Sequence, residues 1–218
     1  MDYAVFVGEE KTLLYKKGQG IVLNEPSVTA HKDGKIIAVG KSALQFNNAS
    51  HFDVTIQPLV KHGRIKSVET AAVFFAHMFK KMGRVGSCLI CIPSSLDAHG
   101  LNGYKNVIYS SYARDVVITF MPQVIASAYA SAYRISDDEI VLSIVTEGDS
   151  ADLAIIRFGE IIDGGTLPNL EKFEEAKSRL VRAYPDARVI QGDRLSVING
   201  AGRLLENDSL IRRIVELN

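Results

Sequence analysis

Residues Tyr15–Ala30 read YKKGQGIVLNEPSVTA. The stretch holds no His and no Cys, and its single carboxylate, Glu25, stands before Pro26, so it offers no evident catalytic group. It belongs to a series of short β-rich runs cut by turn signals: DYAVFVG, TLLYKKGQG and GIVLNEPSVTAHKDGKIIAVG. Within the last run, Asp33-Gly34 between SVTAH and IIAVG is a strong two-residue hairpin turn. FDVTIQPLVKHGRIKS reads as another strand pair, bent at Lys61–Gly63.

Beyond residue 66 the period changes. Val68, Ala71, Ala72, Phe75, Met78, Phe79 and Met82 fall on one helical stripe, which predicts an amphipathic helix over Ser67–Lys81 with Ser67 as its N-cap. SCLICIPSS is a buried strand ending in a polar turn. A helix is expected over about His99–Ala113, with Gly100 and Gly103 weakening its start. DVVITFMP is the next buried strand and QVIASAYASAYR the next helix. Strand, helix, strand and helix on short connections imply a right-handed parallel βαβ arrangement. From Asp137 onward EIVLSIV, SADLAIIRFG and EIIDGGTLP read as a three-stranded meander. A helix over Asn169–Tyr184 follows, with Leu170, Phe173, Ala176, Leu180, Val181 and Tyr184 on its buried face and Glu175–Arg179 as an outer i,i+4 pair. ARVIQGD, SVINGAG and a helical stretch near Ser209–Leu217 complete the chain.

Two copies of one plan emerge, each a β-meander followed by helices and buried strands, the second copy shorter. The polar ISDD at Ile135–Asp138 marks the break, giving domains 1–136 and 137–218, with a small β-rich insertion near 29–60 in the first.

Composition narrows the function classes. The chain has 218 residues, and its 25 Lys+Arg balance 25 Asp+Glu, so nothing calls for a nucleic-acid partner or an anionic membrane surface. No apolar run approaches the ~20 residues of a membrane span. MDYAVFVGEE has no basic n-region, so no signal peptide is expected, and a cytoplasmic location follows. Cys88 and Cys91 form a CxxC, which elsewhere marks redox or zinc sites. Here the spacing lies within a strand, where residues three apart face opposite ways, so two separately buried thiols are expected. The five histidines show no ligand spacing, and no metal site is assigned.

The ordered set of segments resembles the MreB family of bacterial actin homologues along nearly the whole chain. LLYKKGQGIVLNEPSVTA is similar to that family's segment after the first phosphate loop. IIAVGKSA, IQPLVKHGRIKSVETA, ICIPSS, QVIASAYASAY and SVINGAGRLL resemble further family segments in the same order. The resemblance implies an α/β, actin-like (ribonuclease H-like) fold of duplicated domains around a nucleotide cleft. Between Leu167 and Asn199, where the family carries a further subdomain, only one helix and one strand fit, so the second domain is reduced and lacks its outer subdomain.

The same resemblance allows the phosphate chemistry to be checked residue by residue. An actin-type ATPase cradles phosphates with the backbone N–H groups of two Gly-rich hairpins and holds Mg²⁺ through carboxylates. Where the family reads D-L-G-T, this chain has Phe6-Val7-Gly8-Glu9. Gly8 keeps the turn, Phe6 replaces the metal-side acid, and Glu9 is expected to set a negative charge in the phosphate's place. At ~4 Å such a repulsion is about 4 kcal/mol at an effective dielectric near 20. Lys11 offsets one charge. Where the family reads D-I-G-G-G-T, the chain has Val145-Thr146-Glu147-Gly148-Asp149-Ser150, keeping Gly148 and Ser150; a one-residue shift would put Glu147 or Asp149 at the acid. Gln123 stands at the water-orienting position, or simply opens a helix after Pro122. Asn199, Gly200 and Gly202 match the adenosine-side loop at an expected helix start, or form an ordinary tight turn.

Three functions remain open. The first is a non-catalytic, MreB-like scaffold or regulator of cell shape, division or envelope assembly (a degenerate ATPase), with no cofactor and a protein partner or self-association. The second is an active filament protein that binds ATP with Mg²⁺. The third is a small-molecule kinase of the same superfamily, with Asp97 as its base. No nucleic acid is expected. The loop Lys80–Gly86 has three basic residues without an adjacent bulky apolar pair, which supports at most weak peripheral membrane contact.

Overall fold

The structure is a computed structural model that describes residues 1–47, 53–82, 86–111, 116–134 and 138–207. The first half opens with strands β1 (Tyr3–Val7), β2 (Lys11–Lys16) and β3 (Gly20–Pro26). A small β-layer follows: β4 (Val28–Lys32), β5 (Lys35–Val39), the short helix α1 (Lys41–Leu44) and β6 (Val54–Pro58). Next come β7 (Val60–Lys61), β8 (Arg64–Ile65), α2 (Val68–Met82), β9 (Ser87–Ile92), α3 (Ala98–Ser110), β10 (Val117–Pro122) and α4 (Gln123–Ala130). The second half holds β11 (Val141–Glu147), β12 (Ser150–Arg157), β13 (Glu160–Leu167), a 3₁₀ turn at Leu170–Lys172, α5 (Phe173–Ala183), β14 (Arg188–Gly192) and α6 (Arg194–Leu205).

The first sheet has the order β10-β9-β1-β2-β3, with β9 and β10 parallel to β1 and the β1–β2–β3 meander antiparallel. The second repeats the scheme as β13-β12-β11-β14, with β14 parallel to β11. The two sheets thus share one strand plan, β1–β2–β3 with parallel β9 in the first and β11–β12–β13 with parallel β14 in the second.

Three cores result. Between the sheets, α4 and α6 pack against the inner faces of both, burying Phe6, Leu13, Cys91, Met121, Ala126, Ala128, Val145, Ile156, Val197, Ala201 and Leu204. Outside the first sheet, α2 and α3 bury Phe74, Phe75, Met78, Tyr104, Val107 and Ile108 against Val5, Leu14, Cys88 and Ile90. Outside the second, α5 supplies Leu180 against Leu142, Ile144, Leu153 and Ile155. Cys88 and Cys91 thus fall on opposite faces of β9, in different cores, as strand geometry requires.

The opening stretch is a structural joint. β3 is the edge strand of the first sheet, and Ser27 hands the chain to the small layer. There the buried Ser27 and Thr12 hydroxyls share a 2.9 Å hydrogen bond. Glu25 accepts from the Lys41 backbone N–H at 2.9 Å and from Lys81 Nζ at 3.2 Å, tying α1 and the end of α2 to the sheet. Those donors hold its carboxyl below the ordinary range despite partial burial, which acts in the opposite direction.

Most elements follow the sequence reading. The Asp33-Gly34 turn has φ 51° and 73°, the paired positive values of a type I′ hairpin. Ser67 Oγ accepts from the Thr70 N–H at 3.2 Å at the start of α2. Three expectations need correction. α3 runs from Ala98 to Ser110 behind an Asp97 cap, so it begins one residue ahead of His99, and Ala113 lies outside the described residues. On the expected buried face of the Asn169–Tyr184 helix, Val181 is 41% exposed, and Leu170, in the 3₁₀ turn before α5, is 43% exposed. Arg179 pairs in bidentate fashion with Asp163 of β13, not with Glu175, because the fixed strand acid suits the guanidinium fork. The helix near Ser209–Leu217, Gly83–Val85 of the basic loop and Ile135–Asp137 lie outside the described residues. No helix among those described is long and apolar enough to cross a membrane.

Candidate functional site

The two hairpin turns, β1–β2 and β11–β12, face each other where the sheets converge. In the first, the Gly8 N–H is used within the turn, donating to the Lys11 carbonyl at 3.0 Å. The next two N–H groups point across the gap. Glu9 N–H donates to Glu147 Oε2 at 3.0 Å and Glu10 N–H lies 3.5 Å from Oε1. The acid that occupies the first turn is therefore not Glu9, as expected, but Glu147 from the opposite hairpin. The Glu9 side chain turns aside to accept from the His62 backbone N–H at 2.5 Å, and Glu10 pairs with Arg194 of α6 at 2.5 Å. A Cβ on Gly8 would overlap the Glu147 carboxylate, so glycine is what permits the close approach. Burial pushes the Glu147 carboxyl up to about 7, with its two backbone donors pulling the other way.

A second carboxylate closes the gap from below. Asp152 of β12 is buried and accepts from Ser94 N–H at 2.9 Å, from the Ser94 hydroxyl, from Thr166 Oγ1 at 3.1 Å and from the Gln123 side chain. Ser95 Oγ in turn accepts from Thr166 N–H at 3.1 Å. Burial raises the Asp152 carboxyl against four stabilising donors. These contacts clasp the turn after β9 onto the second sheet. Sequence reasoning missed Asp152; its signal is an acid set between Ala151 and Leu153 in an otherwise apolar run.

What remains between the two acids is a cavity of about 20 Å³, lined by Glu9, Gln123, Val145, Glu147, Asp152 and Thr166 among others. That is room for about one water. Phe6, at the position read as the metal-side acid, is buried in the inner core. Among the described residues no three of His, Cys, Asp and Glu gather in metal-binding geometry. As placed, Glu147 takes the Glu9 and Glu10 amides that would face a phosphate, and an aromatic ring stands at the metal-side position; beside the small cavity a larger one of about 210 Å³ opens between His62, Arg64, Ser95, Leu96 and Pro168.

The expected site residues divide into two groups. Gln123 and Ser150 line the cavity, Gly8 lies against Glu147, Gly148 forms the second turn at φ 54°, and Lys11 opens β2 beside the first turn. Asn199, Gly200 and Gly202 do not join them. They lie within α6, which starts earlier, at Arg194, from the Asp193–Ser196 capping box, so their N–H groups are not at a helix start. A Cβ on Gly200 would overlap the Ala126 carbonyl oxygen of α4, and one on Gly202 the Tyr15 ring. These glycines serve close packing. Asp97 lies outside the cavity lining, capping α3 and pairing with Arg64 in bidentate fashion. Arg64 holds its carboxyl down to about 2, which unsuits it as a base.

Comparison with known proteins matches the MreB/Mbl protein family over residues 1–183. The chain belongs to the MreB/Mbl family. Among MreB/Mbl relatives, the cell shape-determining protein Mbl of Bacillus subtilis (strain 168) is 27% identical over 217 residues, covering 86% of this chain and 64% of that protein. The cell shape-determining protein MreB of Escherichia coli (strain K12) is 24% identical over 194 residues, covering 83% and 55%. The crystal structure of MreB5 of Spiroplasma citri bound to ADP aligns with a TM-score of 0.68 at 24% identity, covering 94% of this chain and 61% of that one. Its AMPPNP-bound counterpart aligns with a TM-score of 0.66 at 23% identity. The actin-like fold is thereby established, in a chain spanning between 55% and 64% of the length of these two curated relatives.

Proposed function

We propose that this chain is a non-catalytic, cytoplasmic scaffold or regulator of the MreB/Mbl class, acting in cell shape, division or envelope assembly through self-association or a protein partner. The observation that carries this reading is Glu147 seated on the Glu9 and Glu10 amides, at the turn where the family resemblance implies phosphate. Phe6 in the core and the one-water cavity support it. The curated relatives are described as cell shape-determining, which supplies the process. The reading takes the halves as 1–136 and 137–218, with no resident cofactor. Calorimetry with Mg·ATP tests it: no micromolar heat and no phosphate release above background are expected. Micromolar binding with hydrolysis overturns it.

A second reading, an ATP-binding filament protein, is favoured by one arrangement and one comparison. Gln123 faces the cavity, and the two similar MreB5 structures are bound to ADP and AMPPNP. Sedimentation with and without ATP separates the two readings, since only this one expects a nucleotide-dependent pellet.

A further inference from the structure

We propose that the β1–β2 turn is an oxyanion cradle that the chain fills with its own Glu147 carboxylate, making Glu147 a tethered competitor of phosphate. The inference deepens the closed-cleft reading above and rests on it. Successive N–H groups aimed from one turn form an anion-binding concavity, and a carboxylate offers them the same pair of acceptor oxygens as a phosphate edge. Here the Glu9 and Glu10 amides meet the two oxygens of one carboxylate. The turn's own acids do not fill it, because Glu9 is held by His62 and Glu10 by Arg194. Gly8 leaves the space a tight-fitting anion needs.

The charged groups around Glu147 come from every neighbouring element. Glu9 on the β1–β2 turn raises its carboxyl and Arg194 on α6 lowers it. Tyr104 on α3 feels its charge, and Asp152 of β12 lines the same cavity. Burial outweighs these groups and raises the carboxyl to about 7 against the pull of the two amides, so it meets them as a carboxylate only above that pH. As pH rises through about 7 the acid loses its proton and both of its oxygens become acceptors for the two N–H groups. A ligand that needs the open form binds with an affinity reduced by the open fraction.

The amide resonances of Glu9 and Glu10 in the full chain provide the test. In the wild type they should shift with pH at a midpoint of about 7, and Glu147→Gln should flatten that shift. In Glu147→Ala, inorganic phosphate should move both resonances and bind about tenfold tighter than to the wild type, the gain that an open fraction of about one-tenth in the wild type would give. Mg·ATP is the second ligand. If it moves the same resonances more strongly than phosphate, the cradle takes a nucleotide's polyphosphate; if phosphate alone moves them, a free oxyanion. Amides that ignore phosphate in Glu147→Ala overturn the proposal. Should that variant not fold, a wild-type pH response that Glu147→Gln leaves unchanged overturns it equally. Wild-type hydrolysis of Mg·ATP would sink the functional reading instead, with the pH response of the two amides still deciding the Glu147 contact.

Discussion

The two sheets of this protein share a strand plan but not an outer wall. Outside the first, two helices bury a cluster of large side chains, among them Phe74, Phe75, Met78, Phe79 and Tyr104. Outside the second, α5 contributes one fully buried side chain, Leu180, with Phe173, Ala176 and Tyr184 only partly covered. Apolar burial is the main stabilising term and scales with area removed from water. The first half thus carries its own core, whereas the second depends on the layer it shares. That layer is α4 and α6, whose Ala126, Ala128, Val197, Ala201 and Leu204 pack between both sheets. A thin outer face is tolerable when the inner face is held in common.

Substitutions in each layer can break or sharpen this contrast. Phe75→Ala removes a fully buried ring from the strong wall and should cost about 4 kcal/mol in urea unfolding. A loss under ~1 kcal/mol would show that the first half does not rely on that wall. Gly200→Ala forces a methyl against the Ala126 carbonyl in the shared layer. It should cost about 2–3 kcal/mol even after the ~1 kcal/mol gained in helix propensity. Amide exchange should then quicken in both sheets together; quickening in one alone would contradict a shared layer. Leu180→Ala should cost about 2 kcal/mol, the low end for such a change, because its half-exposed neighbours can settle into the gap. The faster exchange should stay on β11–β13. Arg179→Ala, which deletes the exposed pair with Asp163, should change the melting free energy by under about 0.5 kcal/mol.

Local chemistry was the legible part of the sequence. Asp33-Gly34, the Ser67 cap and the faces of Cys88 and Cys91 each depend on a few neighbouring residues. The contacts that close the cleft join residues far apart in the chain: Glu147 meets the amides of Glu9 and Glu10, and Asp152 meets Ser94. No periodicity encodes such a meeting, so sequence alone points to Glu9 for the place that Glu147 occupies. The glycines of α6 illustrate a different ambiguity. Small residues suit both an anion-binding loop and a close helix crossing, and only the Asp193–Ser196 capping box upstream marks where the helix begins. Arg179 has an i,i+4 partner visible in sequence in Glu175, while Asp163, on a neighbouring strand, leaves no such mark.

The two thiols have a practical use. Burial pushes Cys88 and Cys91 up to about 12, so neither should react with an alkylating reagent while its surroundings stay closed. They are the chain's only cysteines, and each sits in a different layer. Pulsed alkylation read by peptide mass would therefore act as a pair of clocks on one strand, Cys88 timing the lifting of the helical wall and Cys91 the parting of the two halves.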